Sequence, residues 1–257
     1  MKPDTLNEEN RKFEQSPLKK PLFVNSVPKS GTHLLRNIVR MFVPVEQQYH
    51  AQFIQYPNLQ EHLEAFDQEK CNLSWGHLLF SDASAMELTG ARKIVLYRDP
   101  HSWVLARARF FLSDEFTGNI EHVKGGRISV EELLNLMIFG IYQKVPSLLD
   151  LYMHNAVAWM GTVNAMVKYE DLVGAVKRID DLESEVYFRK LLGQCGIDPI
   201  PDDWRERVKI GSDRKQSGTA RENLSGLSVE IPNELPETQK KLVEFVAPGL
   251  RKLLGYE

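Results

Sequence analysis

Cysteine is scarce in this chain, with only Cys71 and Cys195 among 257 residues. Two thiols make no disulfide framework, so a reducing, cytoplasmic setting is the expectation. Long apolar runs are missing as well: no stretch approaches the ~20 residues that cross a bilayer. The opening MKPDTLNEENRKFEQSPLKK is polar throughout and has no apolar core of the signal-peptide kind. No membrane is expected as a partner. Net positive charge is also lacking, at -3 with a pI near 6.2. That argues against a general nucleic-acid binder, so any anion site must be local. The two Cys and seven His form no close ligand cluster of zinc type. There is no internal repeat and no low-complexity tract. What remains, 42% hydrophobic and 26% charged, is ordinary globular composition, long enough for one large α/β domain with a substantial core.

Residues 1–20 read as a flexible arm, because charge and amides dominate without a period. Residues 21–257 read as a single domain. Leu22, Phe23, Val24 and Val27 are strand formers that stop at Pro28. Leu34, Leu35, Ile38 and Val39 then fall at helical spacing. Pro44 to Asp67, with Gln47, Gln48, Tyr49, His50, Phe53 and Tyr56, has no clean period and reads as an irregular wall able to touch a ligand. Asn72 to Gly76, Lys93 to Tyr97 and Val163 to Val167 are further strand candidates. Helices are expected from Asp82 to Leu88, through Trp103 to Phe110, from Ser129, after Pro146, over Glu183–Leu192 and Asp203–Val208, and over Glu237–Phe245. The 118–160 stretch reads as a helical insertion, near an acceptor site. Strand, loop and helix recur at a spacing that predicts an α/β fold, a central parallel sheet covered by helices.

The first strand-to-helix junction carries the chemistry. Gly31 allows a sharp turn and Thr32 can cap the helix. A loop feeding a helix N-terminus aims backbone N–H groups and the positive dipole end at one point, which suits an anion, and Lys29 adds a full charge. A nucleoside-triphosphate loop reads G-x-x-x-x-G-K-[ST]. Here the Lys precedes the Gly, so this is not that loop.

Pro28-Lys29-Ser30-Gly31-Thr32-His33-Leu34-Leu35 instead resembles the 5′-phosphosulfate loop of soluble sulfotransferases that use 3′-phosphoadenosine 5′-phosphosulfate. Arg98-Asp99-Pro100, just past the strand KIVLY, resembles that family's 3′-phosphate turn, although the Ser usual eight residues later is Ala106. Ser102, Arg107 and Arg109 are the candidates to compensate. His77, in Trp75-Gly76-His77-Leu78, resembles the family's catalytic His, with Trp75 where many relatives carry Lys. Lys168-Tyr169-Glu170-Asp171-Leu172 resembles a signature whose Tyr lies beside adenine. Tyr169 gains weight because Leu34 stands where many relatives have a stacking Trp. Thr219 to Gly226 resembles the loop that closes over the 3′-phosphate, with Arg221 and Gly226 matching and Glu222 and Asn223 departing. Arg214 and Lys215 offer another register.

The resemblance implies a P-loop-like sulfotransferase fold and a reaction. Lys29, Ser30, Gly31, Thr32, His33, Leu34, Arg98, Tyr169 and Arg221 would bind the donor. Lys29 would stabilise the leaving charge and His77 would deprotonate the acceptor. Adenosine 3′,5′-bisphosphate would leave, with no metal required. The expected acceptor is a small-molecule hydroxyl, or an amine. Asp114, Glu115 and Glu121 offer either attraction to a cationic acceptor or an exposed acidic edge. Two other readings stay open: an inactive relative that binds without turnover, favoured by Trp75, Ala106, Glu222 and Asn223, and a P-loop nucleotide kinase. Oligomeric state is not readable from the chain.

Overall fold

The computed structural model describes residues 4–113, 116, 123, 127–213 and 230–256. These form two compact units. The first runs up to Tyr97 and resumes at His154 as far as residue 213; the second is built from Arg98–Met153 and residues 230–256.

The first unit carries the sheet. Its strands are β1 (Leu22–Ser26), β2 (Ile54–Gln55), β3 (Leu73–His77), β4 (Arg92–Tyr97) and β5 (Ala165–Lys168). All neighbours are parallel, in the order β2-β3-β1-β4-β5. The expected α/β architecture with a central parallel sheet is therefore the observed one. Parallel strands are buried on both faces, which explains why LFV in β1 and IVL in β4 are uninterrupted apolar runs. β1 is central, with β3 on one side and β4 on the other. The chain leaves β1 towards β3 and leaves β4 towards β5, so the direction reverses between β1 and β4, where open α/β sheets form their ligand crevice at the carboxyl ends.

Helix α1 (Leu6–Asn10) precedes the sheet, α2 (Thr32–Arg40) follows β1, and α3 (Asp82–Glu87) follows β3. Helices over Tyr169–Lys177, Leu182–Cys195 and Trp204–Ser212 complete the cover. The core joins Leu22, Val24, Leu35, Ile38, Leu73, Ile94 and Leu96 to Leu172, Phe188, Leu192 and Val208.

The polar residues 4–20 carry buried anchors. Leu6 and Leu18 are buried, each contributing about 1.5–3 kcal/mol. The Asn10 side chain donates to the Arg40 and Val43 carbonyls at 2.6 and 3.1 Å. Buried Arg207 donates to the Glu14 carbonyl at 2.7 Å and lies over the Phe13 ring. The polar composition that hides these anchors is what satisfies the end of α2. Ser81 caps α3, accepting from Ser84 N–H at 3.1 Å.

The segment between α2 and β3, expected to be irregular, holds two 3-10 stretches and the two-residue strand β2. β2 lies so close to β3 that a Cβ on Gly76 would sit 1.9 Å from the Ile54 carbonyl oxygen. Gly76 is thus required for close backbone approach.

The second unit is helical. Its elements include α4 (Pro100–Leu112) and helices over Val130–Phe139 and Glu237–Val246. Ser129 caps the second of these through a reciprocal box with Glu132. Trp103, Leu133, Leu134, Met137, Ile138, Tyr152 and Val243 are buried. Among the described residues no helix is long and apolar enough to cross a membrane.

Candidate active site

In the first unit, two polar residues close an otherwise apolar strand. Asn25 and Ser26 at the end of β1 are almost wholly buried. The Asn25 amide accepts from Leu78 N–H at 2.8 Å and donates to the Leu78 carbonyl at 2.9 Å. The same carbonyl receives the Trp159 indole N–H at 3.3 Å. The chain just beyond His77 is therefore fixed by side chains after the sheet ladder ends.

His77 Nδ1 lies 3.1 Å from the Ser26 carbonyl oxygen and 3.0 Å from Ser26 Oγ. The carbonyl can only accept, so the network assigns the proton to Nδ1 and leaves Nε2 with its lone pair. Burial pushes the imidazole pKa down to about 4; the Ser26 carbonyl opposes that shift and the Lys29 charge adds to it. At neutral pH the ring is thus an uncharged proton acceptor. Phe53 packs against it, ring centres 5.4 Å apart, and His33 meets the Phe53 ring at the same distance.

The loop after β1 bends through two left-handed residues, Lys29 (φ 67°) and Gly31 (φ 95°). A lysine in that region costs about 1–2 kcal/mol, a strain that persists where the surroundings enforce it. Gly31, not Thr32 as the sequence suggested, is the N-cap, and it makes no side-chain cap bond. Thr32 is the first helical residue, and its hydroxyl is 2.6 Å from Ser26 Oγ. The physical reason is competition: a β-strand hydroxyl claims the Thr oxygen that would otherwise turn to the helix. Tyr169, at the start of the helix after β5, covers Gly31 so closely that a Cβ there would lie 2.5 Å from the ring. Leu34 is half-buried against the core.

Ser30 bears on whether these residues fit a bound phosphosulfate. Its Oγ is buried without a hydrogen-bond partner in the protein, while its N–H donates to Val27 at 3.1 Å. A buried hydroxyl beside a lysine, ahead of a helix N-terminus, fits an anionic oxygen.

In the second unit, Arg98 opens the turn before α4. Its Nε donates to Ser102 Oγ at 2.8 Å, and its carbonyl accepts from the Tyr152 hydroxyl at 2.7 Å. Asp99 caps the helix through His101 N–H at 3.0 Å and binds Arg251. These bonds, Arg251 foremost, hold its carboxyl below the usual carboxylate range against the opposing effect of burial. Of the residues proposed to replace a hydroxyl at Ala106, Ser102 braces Arg98. Arg109 donates to the Pro232 carbonyl, and its pKa is lowered by burial and by the Arg98 charge. Arg107 is corrected: its guanidinium is buried, bonded to the Met137 and Pro146 carbonyls and stacked over Trp103. It is a structural residue.

Asp114, Glu115 and Glu121 lie outside the described residues, as do Arg214, Lys215, Arg221, Glu222 and Asn223. Sequence reasoning missed Asn25, Ser26 and Arg251. The first two left a signal, a polar pair inside a buried strand; Arg251 left none. Among the described residues, no group of three or more His, Cys, Asp or Glu is placed to hold a metal.

No protein-family model matches the chain, and no curated protein sequence does. Among solved structures it is similar to mouse sulfotransferase SULT7A1 complexed with PAP, at a TM-score of 0.58 and 15% identity over 98% of this chain and 90% of that one. At that identity the likeness establishes the architecture: the chain has a sulfotransferase-type α/β fold.

Proposed function

We propose that the chain is a sulfotransferase that moves the sulfuryl group of 3′-phosphoadenosine 5′-phosphosulfate to a hydroxyl of a small-molecule acceptor. One observation carries the reading. The loop holding Lys29 and the unpartnered Ser30 hydroxyl is hydrogen-bonded, through Thr32 and Ser26, to a His whose Nε2 is poised to accept a proton. The likeness to a protein bound to PAP agrees with it.

When bound, the donor supplies an activated sulfuryl group on a phosphate leaving group. Lys29, Ser30, the Gly31 turn, Thr32 and the first turn of α2 at His33 and Leu34 would hold its 5′ end, and Tyr169 would lie beside its base. Arg98, braced by Ser102, would take the 3′-phosphate, with Arg221 from the 214–229 segment. His77 Nε2 receives the acceptor proton, and the Ser26 carbonyl supports the imidazolium that forms. Lys29 places fixed positive charge where negative charge grows. Phe53 and His33 give an aromatic wall that keeps water from the base.

Calorimetric titration with adenosine 3′,5′-bisphosphate, beside ATP with magnesium, tests the assignment. Micromolar binding of the bisphosphate alone, followed by turnover in an acceptor screen, is the expected result. Tight ATP binding would favour a kinase; bisphosphate binding with no turnover on any acceptor would favour an inactive relative.

A further inference from the structure

Ser26 belongs to no family motif discussed above, yet it touches both halves of the chemistry in the first unit. It is the last residue of β1, fully buried. Its Oγ is 2.6 Å from Thr32 Oγ1 on the phosphate loop, 3.0 Å from His77 Nδ1 and 3.5 Å from the Gly76 carbonyl oxygen. Its carbonyl is 3.1 Å from the same Nδ1.

The hydroxyl protons can be counted. Ser26 and Thr32 have one each, and His77 has one on Nδ1. In one arrangement Thr32 donates to Ser26 Oγ, Ser26 donates to the Gly76 carbonyl at the long limit, and Nδ1–H rests on the Ser26 carbonyl. In the other, Thr32 donates outward to an anion in the loop, Ser26 donates to Thr32 Oγ1, and the Ser26 lone pair turns to Nδ1–H. Every donor then points one way, from imidazole to anion, and such chains strengthen each bond in them.

We propose that Ser26 is a positioning residue, a hydroxyl relay by which an anion held at Thr32 draws the Nδ1–H of His77 from the Ser26 carbonyl onto Ser26 Oγ and raises the basicity of its Nε2. The base becomes competent when the donor arrives, which guards against futile proton uptake in its absence. The relay rests on the sulfotransferase reading, since it takes the loop anion to be the 5′-phosphate group. The charged group acting on the ring is Lys29 on the loop; His33 and Arg36 on α2 lie across Phe53 from it. None of these is altered in the Ser26 variants. That isolates the hydroxyl.

The test is histidine-labelled NMR of the full chain, His77 being assigned by its loss in His77→Gln. Spectra are compared free and saturated with adenosine 3′,5′-bisphosphate, for wild type, Ser26→Ala and Ser26→Thr. In wild type the bisphosphate should raise the titration midpoint of His77 and move its Nδ1 proton resonance while the ring stays Nδ1–H. In Ser26→Ala most of that rise should be lost, with bisphosphate affinity changed less than about three-fold and turnover down by roughly 10- to 100-fold. Ser26→Thr should restore both. Should the alanine variant not fold, Thr32→Val gives the same readout, since it breaks the relay at its other end. A wild-type titration midpoint that ignores saturating bisphosphate, or a rise as large in Ser26→Ala, overturns the relay and leaves the sulfotransferase reading standing. Failure of wild type to bind bisphosphate in parallel calorimetry removes both.

Discussion

Asp99 and Arg251, 152 positions apart in the chain, are joined by two hydrogen bonds of 2.9 and 3.0 Å. The pair ties the turn that carries Arg98 to the C-terminal helix Leu250–Leu253 within the second unit. Asp99 also caps α4, so loss of its partner reaches the helix start. Arg251→Ala should lower stability by about 1–2 kcal/mol, the value of a half-buried, doubly bonded ion pair. Bisphosphate affinity should fall several-fold while binding of inorganic pyrophosphate is spared. Loss of both alike would show that Arg98 does not serve the 3′-phosphate.

His77→Ala should reduce turnover by roughly 10²- to 10⁴-fold, the range for removing a general base, while leaving bisphosphate affinity nearly unchanged. Steady-state kinetics beside calorimetry separate the two. Near-wild-type turnover at neutral pH would remove His77 from the mechanism.

The same residue makes stability depend on pH. An unfolded His takes up a proton near pH 6.5, but the folded ring refuses it until about pH 4. Within that window the unfolded chain holds more protons, so stability rises with pH and is lost on acidification. His77→Gln should flatten this slope by on the order of 2 kcal/mol between pH 7 and 4, the full linkage being reduced by water at the ring edge. Urea unfolding of both proteins across that range measures it; parallel curves would mean the ring titrates normally.

Gly31 and Tyr169 should be energetically coupled. Gly31→Ala meets both a positive φ and the Tyr169 ring at 2.5 Å, and should cost about 2–4 kcal/mol. Adding Tyr169→Ala removes the clash but not the backbone strain. The double variant should recover part of the loss, a coupling of about 1 kcal/mol or more in a double-mutant cycle. Strict additivity would refute the contact.

Much of this was legible because its causes are local. LFV and KIVLY announce buried parallel strands by their lack of alternation. The loop after β1 is readable because Pro28 stops pairing and Gly31 permits the turn. Distant partners were not readable. Residues 4–20 look solvated because their amides and acids meet the α2 terminus and Arg207, which no window of sequence contains. Arg107 reads as a substitute for the hydroxyl missing at Ala106 until the Met137 and Pro146 carbonyls surround it. Thr32 follows the rule for caps, and only the fold brings Ser26 close enough to claim its hydroxyl.

The close approach of Ile54 to Gly76 also bears on how such a protein can diversify. Position 76 admits no side chain, so natural variation there is closed off. Change can enter through the neighbours instead: Phe53, whose ring packs against His77, and Trp75, which shares its strand face, lies under Arg36 and meets His50 edge-on. New acceptor preferences should therefore arise in the aromatic lining while the His77 backbone is inherited unchanged, a division that keeps the proton acceptor fixed as its clientele shifts.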